Sequence, residues 1–239
     1  MVNLTVARLT VRGLLGRRRA LLLLVVPVLL VLLAVLAGGS GADRRTVTGD
    51  ILGTLGLGTL VPLLGLVVGT GVIATEIDDG SIVYLLAKPL PRWRIVTTKL
   101  AVAVLSCWVF AAVPTLLAGL ILNGTRDGLA LGYTVAALVA GAAYSALFLL
   151  LGVVTRNAVV IGLAYALIWE SLVGNFVKGA RTLSVQQWGL SLAKAIAAPG
   201  TITADVAVGV AVPLLLLVTG CATALAAHRL AGLTLSTAE

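Results

Sequence analysis

Long apolar runs, broken only by short clusters of charge, are the feature that most constrains this chain. The stretch from Ala20 to Ala37, for example, holds no charged residue. About 20 such residues cross the hydrocarbon core of a bilayer as a helix. Lipid offers no partner to backbone amides, so a spanning segment must be a helix or part of a closed barrel. Barrel strands alternate polar and apolar residues, and these runs do not. Composition agrees: 60% of the 239 residues are hydrophobic and 11% are charged, where a soluble domain carries roughly a quarter. The expected fold is an all-α integral membrane protein, one transmembrane domain over residues 1–239.

Six spans can be placed: Ala20 to Gly38, Ile51 to Ala74, Thr98 to Leu122, Ala130 to Val154, Ala158 to Val177 and Asp205 to Ala227. Pro27, Pro62, Pro114 and Pro213 fall inside them and predict kinks rather than breaks. The first run, led by Arg17, Arg18 and Arg19, shares features with a secretory signal. It exceeds the usual apolar length of about 7–15 residues and reads as an uncleaved span. With the N-terminus inside, eleven of the 17 Lys and Arg residues fall on the cytoplasmic side, which predicts that both termini are cytoplasmic. The same bias explains the net charge of +8 without nucleic acid. Cys107 and Cys221 lie in apolar runs and read as small buried hydrophobes rather than a disulfide.

Three segments lie outside the spans. Residues 1–19 interleave Val and Leu with Arg8, Arg12, Arg17, Arg18 and Arg19, as a helix on an anionic membrane surface would; a frayed basic tail is the alternative. Residues 75–97 form the largest cytoplasmic connection. There Glu76, Asp78 and Asp79 precede Gly80, Ser81 and the apolar stretch containing Leu85 and Leu86, and Lys88-Pro89-Leu90-Pro91 stops any helix before Arg92. An apolar tip rimmed by charge has the composition of a docking surface. In residues 174–203, Ser184 and Gln187 have capping-box spacing and Pro199-Gly200 ends the run. This predicts a short helix on or in the outer leaflet, with a surface loop as the alternative.

Glu170, beside Trp169, is the acidic residue well inside a span. It lies about 20 Å from Asn157 at 1.5 Å per residue. That is two-thirds of the way across a core about 30 Å thick. An ionisable group there should face the bundle interior with a partner. It is either a substrate contact or gate, or a structural hydrogen-bonding group for Tyr144 or Tyr165. His228 has no neighbouring ligands for a metal and reads as an interfacial residue. Gly65 and Gly69 have the Gly-x-x-x-Gly spacing of close helix packing, which 27 glycines also produce by chance. Aromatic content is 5%, thin for a sugar-polymer path.

The run from Gly71 to Lys99 resembles the permease subunits of ATP-binding-cassette transporters of the ABC-2 type. Glu76, Gly80, Leu85, Leu86, Pro89, Arg92 and Lys99 match that family's pattern, and Ser81 stands where Thr is usual. The leader, the six spans and the Trp169-Glu170 pair extend the resemblance along the chain. It implies a non-catalytic subunit in a bacterial cell membrane, paired with a second copy or a paralogue above two cytoplasmic ABC ATPases. ATP and Mg would bind those partners, and no metal or cofactor would bind this chain. The leader would be an elbow helix, residues 75–97 would carry a coupling helix, and the outer segment would hold short re-entrant helices. The implied activity is ATP-driven export, and the Leu, Val and Ala lining suggests a lipid-like or amphipathic small cargo. The sequence also lacks any Gly-x-x-x-x-Gly-Lys-Ser/Thr phosphate loop. The rival readings are a proton-coupled secondary transporter using Glu170 and an intramembrane protease. Against the former, one carboxylate makes a thin relay and no inverted repeat is evident; the latter would need a nucleophile with a buried histidine base, and His228 sits at the wrong end.

Overall fold

The computed structural model describes residues 10–11, 17–39, 43–73, 92–173 and 180–232. Among them every regular element is helical. We label the main helices α1 (Arg17–Gly38), α2 (Arg44–Gly71) and α3 (Trp93–Asn123), and α4 (Leu129–Val154). There follow α5 (Ala158–Ala164, continued by a π-helical stretch Tyr165–Val173), α6 (Val185–Ile196) and α7 (Val208–Gly232). Among the described residues four helices are long and apolar enough to cross a membrane: α2, α3, α4 with the turn before it, and α7. Leu23–Gly38 and Ala158–Trp169 are shorter apolar helices. Four of the six expected spans fall on the long helices and the other two on the shorter apolar ones, and the ends differ. α2 begins at Arg44 rather than near Ile51, and α3 is helical from Arg92, so the end of the 75–97 connection already belongs to it.

α4 is the central post, against which α2, α3, α5, α6 and α7 all pack. Small residues make this possible: Ala136, Ala137, Ala140, Ala143 and Ala146 are all buried along it, letting neighbouring backbones approach closely. A Cβ on Gly65 of α2 would lie 2.7 Å from Tyr144 Cβ, and one on Gly69 would lie 2.8 Å from the Ser145 carbonyl oxygen. The Gly65–Gly69 spacing is therefore a true helix-packing face, directed at α4.

The outer helices bury one stripe each. On α1, Leu23, Leu30 and Ala34 are buried while Val25 and Val28 are exposed; on α7, Ala211, Leu215, Ala222, Ala226 and Leu230 are buried while Leu216 is 68% exposed. Both sets follow helical periodicity. Apolar surface exposed on this scale is untenable in water and ordinary in lipid. Cys221 is exposed on α7, not buried as expected, because it falls on that lipid-compatible side; Cys107 is buried, and both are free thiols.

The chain continues helically through all four prolines. Pro27 and Pro213 sit within helices, whereas Pro62 and Pro114 stand at the first turn after π-helical stretches, Ile51–Leu60 and Trp108–Ala112. Proline has no N–H to donate and clashes with the carbonyl four residues back. A preceding wider turn is one way for a helix to absorb that defect.

Candidate functional site

At one end of the bundle, α2 and α3 are the two stems of the connection that carries the candidate docking residues. Their junction is held by Lys99. It lies one and a half to two turns into α3, is fully buried, and its Nζ donates to the Val72 carbonyl oxygen at the end of α2. The last carbonyls of a helix lack intrahelical donors and carry the negative end of its dipole, so a lysine there satisfies both needs. Thr70 Oγ1 donates back to Leu66 O at 2.7 Å and Thr98 Oγ1 to Arg94 O at 2.6 Å, so hydroxyls at both stems bond within their own helices. Just before, Trp93 is exposed, and the Arg94 guanidinium lies 5.5 Å from its ring centroid. An exposed Trp–Arg pair at a helix start suits the membrane–water interface.

Further along, Trp169 and Glu170 lie in the π-helical part of α5. π-turns are rare and gather at functional positions. Trp169 is half-buried, and the Glu170 side chain lies outside the described residues. The stretch is anchored on α4 through aromatic packing. Tyr165 meets Phe148 edge-on at 6.2 Å, and Phe148 stacks with Tyr144 at 6.0 Å. The two tyrosines considered as partners for Glu170 thus flank a single phenylalanine. The π-helical stretch of α5 also touches that of α2.

The opposite end is closed by a polar clasp. Arg45 at the start of α2 pairs with Asp127 in the turn between α3 and α4, Nε to Oδ2 at 2.9 Å. Asp127 has φ 56°, between Gly124 (62°) and Gly128 (65°), a left-handed turn that Asp tolerates better than most residues. Its carbonyl accepts from Ala198 N at 2.8 Å, tying the segment after α6 to the same turn. Asp43 caps α2, its Oδ2 accepting from Thr46 Oγ1 at 2.7 Å and Thr46 N at 3.2 Å. These bonds, the hydroxyl's first, hold its carboxyl below the usual carboxylate range.

From this end α6 runs antiparallel to α4. Gly128 stands against the Ile196 carbonyl, Gly132 against that of Ala193, and Gly189 against Leu57 and Ala140. From Gly128 to Ala140 is about 18 Å along a helix, so the start of α6 lies far down α4. Ser184 caps that start, its Oγ accepting from Gln187 N at 3.3 Å, as the sequence spacing implied. The helix stops at Ile196 just before Pro199-Gly200, where Gly200 has φ 83°.

Of the expected coupling residues, Glu76, Asp78, Asp79, Gly80, Ser81, Leu85, Leu86 and Pro89 lie outside the described residues, as do Arg8 and Arg12 of the leader. Arg17, Arg18, Arg19 and Arg92 have described backbone at helix starts but no described side chains. Lys99 was legible only as part of a family pattern; its contact with Val72 was not. No cluster of three or more His, Cys, Asp or Glu residues suited to a metal occurs among the described residues.

No curated protein matches the sequence. A family model described as ABC-2 family transporter protein matches residues 5–196, from the leader through the end of α6. The chain belongs to the ABC-2 transporter family, whose members are membrane components of transport systems.

Proposed function

We propose that this chain is the permease subunit of an ABC exporter, driven through residues 75–97 by two cytoplasmic ATPases that bind ATP and Mg. The observation that carries the reading is the Lys99–Val72 contact, which joins the two stems of that connection. A push delivered to a loop moves the bundle only if its stems move as one body, and a buried charge-assisted hydrogen bond between α2 and α3 provides that. Family membership supports the ATPase partnership.

In this reading α1 and α5 join the four long helices as spans, giving six. α1 is 22 residues long, or about 33 Å, which suffices. The Lys99 end is cytoplasmic, in keeping with the charge bias, and both termini lie there. α6 is then a re-entrant helix of the outer half, supported by its course down α4. Residues 1–19 lie on the inner leaflet, and a second copy or a paralogue completes the path. The cargo is a lipid-like or amphipathic small molecule, with Trp169 and Glu170 at the path or its gate.

The test is efflux of the fluorescent amphipath Nile red from cells producing the chain with its ATPase. Orthovanadate, which blocks ATPase turnover, should stop efflux, and a protonophore at constant ATP should not. The reverse pattern, together with loss of efflux in Glu170→Gln, would replace this reading by proton-coupled transport.

A further inference from the structure

Two anchors tie α2 to the bundle, one on either side of its π-helical stretch Ile51–Leu60. Before the stretch, Arg45 pairs with Asp127, and Gly49 O accepts from the Tyr133 hydroxyl at 3.3 Å. After it, Gly65 and Gly69 seat against Tyr144 and Ser145. Tyr133, Tyr144 and Ser145 all belong to α4, and Asp127 to the turn before it. Both anchors therefore refer α2 to the same post, and each must meet it with the correct helix face.

The stretch between the anchors is wider than an α-helix. The Val61 amide at its end bonds Gly56 O, five residues back. Thr59 Oγ1 donates to Thr54 O, also five back, at 3.0 Å, whereas Thr70, Thr115, Thr134 and Thr219 each donate to the carbonyl four back. Proline explains only part of this. The π-helical run before Pro114 has five residues, and the run before Pro62 has ten. Each π turn takes up one residue more than an α turn. With α2 held at Gly65 and Gly69, changing one π turn to an α turn moves every earlier residue into the place of the residue before it. That is a rotation of about 100°, and it takes Arg45 out of register with Asp127.

The stretch is held wide from α6. Gln186, in the first turn of that helix, donates from Nε2 to Gly53 O at 3.4 Å. Its amide fills the space beside Gly58, where a Cβ would lie 2.7 Å from Nε2 and 3.2 Å from Gly53 O. Gly53 and Gly58 are five residues apart, the spacing of the π ladder. Glycines at 53, 56 and 58 give α geometry little intrinsic preference, so contacts from outside decide the form. Packed interfaces of this kind hold discrete arrangements rather than a continuum.

We propose that residues 51–60 are a register hinge with a wide and a narrow form, and that Gln186 is the positioning residue that latches the wide form and lets the Arg45–Asp127 clasp close. The hinge touches the π-helical stretch of α5, so its form is felt where Trp169 and Glu170 lie. The device stands whether or not the chain is driven by ATP, since it uses none of residues 75–97.

The test is the labelling rate of single cysteines by a water-soluble maleimide, in the full chain in nanodiscs and with Cys221→Ser; Cys107 is buried and stays. Thr48 is buried, and Gly49 is half-buried with nothing within 4 Å of an added Cβ. In the latched form Gly49→Cys should react and Thr48→Cys should not. Passage to the narrow form brings Gly49 into the buried place of Thr48, and Thr48 into the half-buried place of Val47. Gln186→Met, similar in length but without the donor, should therefore raise labelling at Thr48→Cys and lower it at Gly49→Cys. Gly58→Ala, whose methyl group displaces the Gln186 amide, should give the same exchange independently. Gln187→Leu, one position along, should leave both rates as in the wild type. A rise at both positions, which plain loosening of α2 would give, or unchanged rates in Gln186→Met and Gly58→Ala, would overturn the proposal, as would the same exchange in Gln187→Leu.

Discussion

The Nζ of Lys99, reaching from α3, donates to the backbone carbonyl of Val72 at the end of α2, in a fully buried setting. An amine away from water is costly unless hydrogen-bond acceptors and opposite partial charge meet it. Here the acceptor is a helix-terminal carbonyl that has no donor within its own helix.

Lys99→Met removes that donor from the Val72 carbonyl at a buried junction, a loss of about 1–3 kcal/mol. Thermal unfolding of the purified chain should show it. Lys194 supplies the control: its Nζ also reaches a carbonyl, Ala204 O at 3.4 Å, but at an exposed site, so Lys194→Met should shift stability by no more than about 0.5 kcal/mol. Equal effects at the two positions would mean that the buried contact contributes nothing particular.

Gly65 and Gly69 leave no room for a methyl group against Tyr144, Ser145 and Phe148. Each changed to Ala should cost about 1–3 kcal/mol through overpacking of α2 on α4. On α7, a methyl group added at Gly209 or Gly220 would meet nothing within 4 Å, and Ala at either should be neutral or slightly stabilising. Melting temperatures of the four variants in one detergent decide the matter.

Loss of the α6 cap is a narrower test. Ser184→Ala should destabilise by about 1 kcal/mol and Ser184→Gly by only a few tenths. Hydrogen exchange at Gln187, whose amide the cap receives, should rise in the first variant while exchange in the middle of α4 stays unchanged.

Asp43 carries a pH dependence of definite sign. Its carboxyl is held below the ordinary value in the folded chain by Thr46. The cap's contribution is therefore complete above the unfolded-state value near 3.8 and is lost as pH falls through the lower folded value. A carboxyl-detected NMR titration should place Asp43 below the usual range and return it upward in Thr46→Val. An unchanged titration in that variant would mean that Thr46 is not the cause.

Much of the fold could be read from local pattern. Apolar run length located the helices, and Ser184-to-Gln187 spacing located the start of α6. The Gly65–Gly69 pair marked a packing face, although sequence could not tell it from coincidence until Tyr144 was found against it. What escaped the reading depends on contacts between distant positions or on backbone subtleties. The π-helical stretches have no signature beyond the prolines that follow two of them. Cys221 looked buried because an apolar run does not say which side faces lipid. The Lys99–Val72 contact, the Arg45–Asp127 clasp and the Gln186–Gly53 contact each join residues far apart in the chain. Read along the chain, Lys99 and Arg45 are only topology-setting charges or parts of a pattern.

The central claim is that residues 75–97 couple this permease to an ATPase. Its most direct test is detergent purification of the chain from its native membrane, comparing wild type with a variant carrying Glu76→Ala and Leu85→Asp. An ABC ATPase should co-purify with the wild type and be lost from the variant, while both chains remain monodisperse. An ATPase retained equally by both forms, or absent from both, would contradict the claim.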